Sequence, residues 1–386
     1  MHHLINVRLP DPLIASPKNN FWSIQINDDQ KIESIIPMSR NTGISGKDWK
    51  GDFLSPRGVD LQINGGLGLS FTKINFKDIN RLFELLDRLW KDGVEAISPT
   101  FVTCHLDQLR LGLSVLREAR KHHVENRCEL LGAHLEGPFL SREFIGAHDI
   151  NYLISPSLYE LEERIKGFED EIALVTLAPE LPGSHKLIKR LRNLGIVVAL
   201  GHSACDGKIA ELAFQNGVKM LTHAFNAMHG IHHRLPGPIT KALLNKNIFL
   251  GLIADGVHIH PDVAVLMQKL ASRQLVLVSD AISPYGLEDG RYVWDNRLVI
   301  SKNGSCTLED GTLAGSNLPL LEGAQKLAYW SGERGAAIWS ATIAPREVLE
   351  TVNNPIHEYF LGRPLSKLLR WETNKVNNQL FWQTAA

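Results

Sequence analysis

Three short stretches carry side chains that hold metal ions: His134-Leu-Glu136-Gly-Pro, Gly201-His202-Ser and Thr222-His223-Ala. One carboxylate and two imidazoles make a ligand set for a divalent cation that keeps an open position for water. Such an ion polarises a carbonyl and brings the pKa of its water towards neutrality. Val278-Ser-Asp280 adds a carboxylate of another kind, suited to take a proton from that water and return it to a leaving nitrogen. Each residue alone reads equally well as an ion-pair partner or a satisfied core residue, so the chemistry depends on a fold that brings the segments together. Histidine is unevenly spread as well, with 10 of the 16 lying between His134 and His260.

The elements that must do this positioning are legible as a pattern. From Gly58 onward short apolar runs alternate with longer amphipathic stretches, which predicts βα units and a parallel sheet. The candidate strands are Val59 to Ile63, Ala96 to Val102, Leu130 to Leu135, Ile172 to Leu177, Ile196 to Leu200, Val218 to Thr222, Ile248 to Ala254 and Leu275 to Ser279. Between them, spacings such as Ile79, Leu82, Phe83, Leu86 and Leu106, Leu109, Leu113, Leu116 predict helices. Asp78, Asp107, Asp206 and Asp262 fall in early helical turns, where a carboxylate suits the positive end of the dipole. Eight such units predict an α/β fold, a TIM-like (β/α)8 barrel over residues 56 to 345. An open doubly wound sheet is the alternative, weakened because no G-x-G-x-x-G follows an early strand.

Functional residues of such a barrel sit at the carboxyl ends of its strands. Here those ends read Asp60-Leu-Gln62-Ile-Asn64, His134-Leu-Glu136, Gly201-His202, Thr222-His223-Ala-Phe-Asn226-Ala227, Asp255-Gly256-Val257-His258 and Ser279-Asp280. Arg234, in His232-His233-Arg234-Leu-Pro-Gly, could hold a phosphate by paired hydrogen bonds. Asn226, Ala227, His148 and His258 flank the same mouth, where an imidazole could bind a hydroxyl or stabilise an oxyanion. After the eighth strand, Asn303-Gly304 between alternating runs predicts a hairpin, and a helix over about 318 to 331 closes the barrel.

Residues 1 to 55 and 346 to 386 do not fit the barrel. Phe21 to Asn27 and Lys31 to Ile36 read as a hairpin, the tail has similar runs near Leu368 and Leu380, and neither piece alone is large enough for a core. The two ends are expected to form one small β-sandwich domain.

Composition bounds the partners. Apolar residues are 44% and charged residues 22%, and 41 Lys plus Arg balance 42 Asp plus Glu at net charge -1, which leaves no basic field for nucleic acid. No stretch approaches the length of an apolar membrane span, and the start lacks a signal peptide's apolar core, so a cytoplasmic protein without a membrane partner is expected. Cys104, Cys128, Cys205 and Cys306 are widely separated, against both a disulfide framework and a thiolate metal site.

Taken in order, Gly58-Val-Asp-Leu-Gln-Ile-Asn-Gly-Gly, His134-Leu-Glu-Gly-Pro-Phe-Leu with Gly146-Ala-His148, Leu177-Ala-Pro-Glu180, Gly201-His-Ser, Thr222-His-Ala-Phe-Asn-Ala-Met, His233-Arg-Leu-Pro-Gly, Ala254-Asp-Gly-Val-His258, Val278-Ser-Asp-Ala281 and Leu313-Ala-Gly-Ser316 resemble the N-acetylglucosamine-6-phosphate deacetylases of the amidohydrolase superfamily. The resemblance implies metal-dependent hydrolysis of the acetamide of N-acetylglucosamine 6-phosphate to glucosamine 6-phosphate and acetate, in amino-sugar catabolism. It implies Glu136, His202 and His223 as metal ligands and Asp280 as acid/base, and His148 at the mouth is read as the catalytic group that helps the metal hold the developing oxyanion. It further implies that Ala147, Asn226, Ala227, Arg234, Asp255, Gly256, Val257, His258, Leu313, Ala314 and Gly315 line the sugar-phosphate site, and that the protein is a homodimer whose neighbouring subunit helps reach the phosphate. Where many amidohydrolases carry His-x-His for a second metal, this chain has Gln62-Ile-Asn64, and neutral amides are poor zinc ligands, so one divalent metal per subunit is expected. Zinc is the leading candidate for that ion and ferrous iron the alternative. Ala204-Cys205, Leu235 and the Ser141 to Ile145 loop depart from the family pattern around the substrate. Those departures leave room for another N-acyl sugar or a cyclic amide. A catalytically silent sugar-phosphate-binding barrel is the reading from a different class.

Overall fold

The computed structural model describes residues 2–10, 21–38, 43–350 and 355–386. Eight parallel strands carry the architecture: β1 (Gly58–Ile63), β2 (Val94–Val102), β3 (Ala133–Glu136), β4 (Ile172–Leu177), β5 (Val197–Leu200), β6 (Val218–Leu221), β7 (Phe249–Leu252) and β8 (Leu275–Leu277). Each is followed by a helix: α1 (Ile79–Lys91), α2 (Leu106–Arg120), α3 (Leu158–Ile165), α4 (Ser184–Asn193), α5 (Gly207–Asn216), α6 (Pro238–Leu244), α7 (Pro261–Ala271) and α8 (Leu320–Ser331). The ring closes just beyond β1 and β8, where Ile63 bridges Ala281, Asp280 N–H donates to Gln62 O at 2.9 Å and Asn64 N–H donates to Ala281 O at 2.7 Å. This is the expected (β/α)8 barrel. One strand departs from expectation: the run from Leu130 is broken, with Glu129–Leu130 pairing only with β2 and β3 starting at Ala133.

The strands alternate because both faces are buried, one on helices and the other on the barrel's own filling. Val175, Leu177, Val198, Leu200, Leu250 and Leu277 share a cluster with helix residues such as Leu86, Leu116, Leu187 and Ala213. Leu174, Val197, Ala199, Met220, Val276 and Val278 form the other set. Towards the carboxyl end that second set turns polar: His134 Nε2 contacts Thr176 Oγ1 at 2.7 Å, Thr176 contacts Thr222 at 2.7 Å, and His134 Nδ1 reaches Thr100 at 3.3 Å. Some helix starts are held by side chains, and of the early Asp residues only Asp206 caps its barrel helix directly. Asp206 accepts from Ile209 N–H at 2.9 Å, and before Asp107 and Asp262 the imidazoles of His105 and His260 cap α2 and α7.

Four antiparallel strands between β8 and α8, Gly290–Trp294, Arg297–Lys302, Ser305–Leu308 and Leu313–Ser316, form a sheet beside the barrel mouth. Asn303-Gly304 makes the expected tight turn, with φ of 52° and 92°. Both chain ends contribute to the small β sandwich. His2–Val7, Trp22–Ile26, Ile32–Pro37 and Lys47–Asp48 form one sheet, while Leu368–Thr373 and Leu380–Thr384 pair with Phe53–Pro56 in the other. The bridges Arg8 to Phe53 and Lys31 to Pro364 tie them together. Three helices absent from the sequence reading, Arg334–Thr342, Ala344–Leu349 and Pro355–Phe360, follow α8.

Candidate active site

Where β3, β5 and β6 end, three ligand atoms meet. Glu136 Oε1 lies 3.2 Å from His202 Nε2 and 3.0 Å from His223 Nε2, and the two imidazole nitrogens are 3.1 Å apart. All three residues are buried. His202 Nδ1 donates to the carbonyl of Phe144 at 2.9 Å, so its Nε2 presents a lone pair towards the carboxylate oxygen and the second imidazole. Lone pairs converging in a buried site repel unless a positive charge lies between them, and the donor set suits a divalent cation. Protons are the only other way to offset this. Burial alone would raise Glu136, yet hydrogen bonds from His202 and His223 hold it well below the usual carboxylate range. Burial alone would likewise lower His223, yet its bond to Glu136 raises it.

His148 stands on the other side of Glu136, its Nε2 3.9 Å from Oε2, and Glu136, His148 and His202 could also be drawn as a ligand group. Its hydrogen bonding argues otherwise. The Thr103 backbone N–H points at His148 Nδ1 from 3.2 Å and makes that nitrogen an acceptor, so the ring proton sits on Nε2. Burial keeps the ring neutral, with a pKa well below the ordinary value. In that tautomer His148 offers an N–H towards the site.

Asp280 completes the centre from the β8 end. Asn64 donates to its Oδ1 at 2.7 Å, and Gln62 Nε2 lies between the two carboxylates, 3.2 Å from Asp280 Oδ1 and 3.1 Å from Glu136 Oε1. Burial, reinforced by the charge of Glu136, pushes Asp280 up to about 7. Backbone shape explains how these side chains turn inward at once. His202, His223 and Asp280 all leave their strands with positive φ, at 48°, 29° and 47°, a conformation that costs a non-glycine residue on the order of 1 to 3 kcal/mol and recurs at functional sites. Glu180, in the Ala-Pro-Glu stretch after β4, holds the turn behind His202 by accepting from Ser203 Oγ at 2.6 Å and Ala204 N–H at 2.7 Å.

A cavity of about 200 Å³ opens over the centre, lined by Asn64, Glu136, His148, His202, His223 and Asp280 together with Ala147, Asn226, Ala227, His258, Leu313, Ala314 and Gly315. The other expected residues lie elsewhere. Asp255 accepts from Val257 and His258 N–H, both at 2.8 Å, and its second oxygen contacts His258 Nδ1 at 2.6 Å. It therefore organises the turn that presents His258, while Val257 is half exposed and Gly256 backs onto Trp330. Arg234 is exposed on a rim loop and lines a separate hollow with Lys208, His232 and Lys241, so within one chain it is not gathered to the centre. Val102, Gly146, Trp294 and Thr312 line the central cavity without having been singled out from the sequence. Val102 and Thr103 follow the same strand-end rule, applied to β2. Phe144 acts through its carbonyl, which no side-chain type announces.

Curated relatives decide the family. The N-acetylglucosamine-6-phosphate deacetylase of Vibrio furnissii is 32% identical over 297 residues, 77% of this chain and 73% of the relative. This chain belongs to the N-acetylglucosamine-6-phosphate deacetylase family. It is a hydrolase of that kind, within the amidohydrolase superfamily. An N-acetylgalactosamine-6-phosphate deacetylase of Escherichia coli O157:H7 is 31% identical over 303 residues, 77% of this chain and 78% of that one. The crystal structure of the Thermotoga maritima family member superposes with a TM-score of 0.77 at 27% identity, covering 99% of this chain and 98% of the other. No family model matches the chain.

Proposed function

We propose that this protein removes the acetyl group of N-acetylglucosamine 6-phosphate, releasing glucosamine 6-phosphate and acetate in cytoplasmic amino-sugar catabolism. The observation that carries the reading is the meeting of Glu136 Oε1, His202 Nε2 and His223 Nε2 within 3.0 to 3.2 Å of one another, with Asp280 joined to the group through Gln62. We assign the barrel to residues 56 to 345 and the sandwich to the two flanking segments.

The three side chains would hold one divalent ion, zinc or ferrous iron, which when bound supplies Lewis-acid polarisation and a water of lowered pKa. The protein's own groups do the rest. Asn64 and Gln62 both donate to Asp280 Oδ1 and fix the carboxylate plane, leaving Oδ2 to accept a proton from the attacking water. Asp280 returns that proton to the amide nitrogen as the carbon–nitrogen bond breaks. His148, with its proton on Nε2, donates to the carbonyl oxygen as negative charge develops there. Asn226 and His258 offer polar groups for sugar hydroxyls on the cavity wall. Arg234 is assigned to the phosphate of a substrate bound in a second copy of this chain, which accounts for its exposure away from its own centre and makes a homodimer the working form. A silent sugar-phosphate-binding barrel would have no use for an aspartate held by two amide donors beside a ligand triad.

Acetate release, measured across N-acetylglucosamine and N-acetylgalactosamine, each with and without the 6-phosphate, tests the reading. Turnover of the phosphorylated gluco-sugar ahead of the other three is expected. Preference for the galacto-epimer would reassign the sugar, and absence of acetate from all four would overturn the deacetylase.

A further inference from the structure

The cavity has two kinds of wall. One is polar, formed by the metal-binding triad, Asp280, Asn64, Asn226 and His258. The other is apolar: Val102, Trp294 and Ala314 belong to one small buried cluster with Ile282, Val299 and Cys306 behind them, and Ala147 packs against it. This wall lies next to His148, because Ala147 precedes His148 in the chain, Val102 precedes Thr103, whose N–H and hydroxyl both meet His148 Nδ1, and all line one cavity. A carbonyl whose oxygen is bonded by His148 has its carbon only about 1.2 Å further on, so the acyl chain on that carbon must start beside this wall. Sugar hydroxyls against it would give up hydrogen bonds to water without replacement, whereas a methyl group gives up none.

Resting on the deacetylase reading, we propose that Trp294 sets the length of acyl group the site accepts, closing a pocket with Val102, Ala147 and Ala314 that takes acetyl and refuses longer chains. The ring is fixed where it stands. Trp294 is 2% exposed and pairs with Arg297 across a tight turn at Asp295-Asn296, whose φ values are 48° and 68°. The Arg297 guanidinium lies 4.6 Å from the centre of the indole and hydrogen-bonds the Ala147 carbonyl, and Asp295 accepts from Ser70 Oγ at 2.7 Å. The hairpin tip is thus pinned to the barrel mouth at two points, and the indole cannot retreat to admit another methylene. Among the described residues no group takes its N–H, which leaves shape and apolar surface as what the ring contributes.

The test uses the full-length, metal-loaded enzyme with N-acetyl, N-propionyl and N-butyryl glucosamine 6-phosphates. Each added methylene should lower wild-type kcat/KM by roughly 10- to 200-fold. Trp294→Ala and Trp294→Leu should reduce the acetyl-to-butyryl ratio at least about tenfold through a gain with butyryl, an outcome that general damage to the fold would not produce. Val102→Ala widens the same pocket from the β2 side and should act in the same direction if the Trp294 variants do not fold. An acyl-length ratio unchanged in all folded variants overturns the pocket while leaving the deacetylase intact; failure of the wild type to release acetate overturns the deacetylase itself.

Discussion

The side-chain amide of Asn64 donates to Asp280 Oδ1 at 2.7 Å across the seam where the first barrel strand meets the last. A donor held to the charged form of a carboxylate lowers its pKa, so Asn64 offsets part of the upward push that burial and Glu136 exert on Asp280. Asn64→Ala should therefore move the acid limb of the kcat/KM profile to higher pH. Asp280→Asn should lower kcat by a factor on the order of 100 to 10,000 with metal content unchanged. Elemental analysis beside steady-state kinetics checks both, and normal turnover in Asp280→Asn would remove that residue from the mechanism.

Removing the cation should unfold the protein at lower temperature as well as silence it. A ligand present at about a thousand times its Kd adds on the order of 4 kcal/mol to the folded state, so dialysis against a chelator should lower Tm by several degrees, and added zinc or ferrous iron should restore both Tm and activity. The variants separate the two possible ligand groups. His202→Ala and His223→Ala should each lose the metal, whereas His148→Ala should retain it and lose turnover. Metal loss in His148→Ala with retention in His223→Ala would reverse the assignment.

Arg234→Ala should weaken phosphorylated substrates by roughly 10- to 100-fold relative to unphosphorylated ones, the range expected for losing a charge-assisted hydrogen bond. Because Arg234 lies away from its own chain's centre, mixing Arg234→Ala with Asp280→Asn protomers is informative. A mixed dimer would contain one site with an intact Asp280 and an intact Arg234 from its neighbour, and activity should rise above either parent. No recovery on mixing would place Arg234 in cis or outside the site.

Stability should depend on pH through two buried groups of opposite sign below the catalytic layer. Burial raises Asp60 to about 7, so the folded state binds the extra proton and Asp60 withdraws stability as pH rises from about 4 to 7, up to about 4 kcal/mol. Burial lowers His134 to about 4, so it withdraws stability as pH falls from about 6.5 to 4. Between pH 5 and 6.5 the two oppose each other. Asp60→Asn should unmask the histidine, giving a Tm that climbs with pH across that interval more steeply than in the wild type. An identical slope in the variant would mean that Asp60 does not titrate there.

The barrel was readable because its strands are buried on both faces and its helices on one, which writes two different periods into the chain. The meeting of Glu136, His202 and His223 was readable for a related reason: they are polar residues at the ends of apolar runs. What the pattern hid was geometry set by the backbone. Nothing in the types of residues 102, 103, 144 and 294 says that Thr103 holds His148, that the Phe144 carbonyl holds His202, or that Val102 and Trp294 line the same cavity. Histidine density also mixed several signals, since His260 caps a helix, His134 sits in a belt of threonines, and His232 and His233 stack on the exposed rim. Arg234 was legible as a cation on a loop after the sixth strand, but its type did not say that this loop lines a hollow apart from the centre.

Ring closure has a kinetic consequence. The bonds that join the end of β1 to the residues after β8 run through Gln62, Asn64, Asp280 and Ala281, so Asp280 cannot take its place until the two most distant barrel strands have found each other. During refolding from denaturant, catalytic activity should therefore return later than helical circular dichroism, and its time course would clock the last stitch of the barrel.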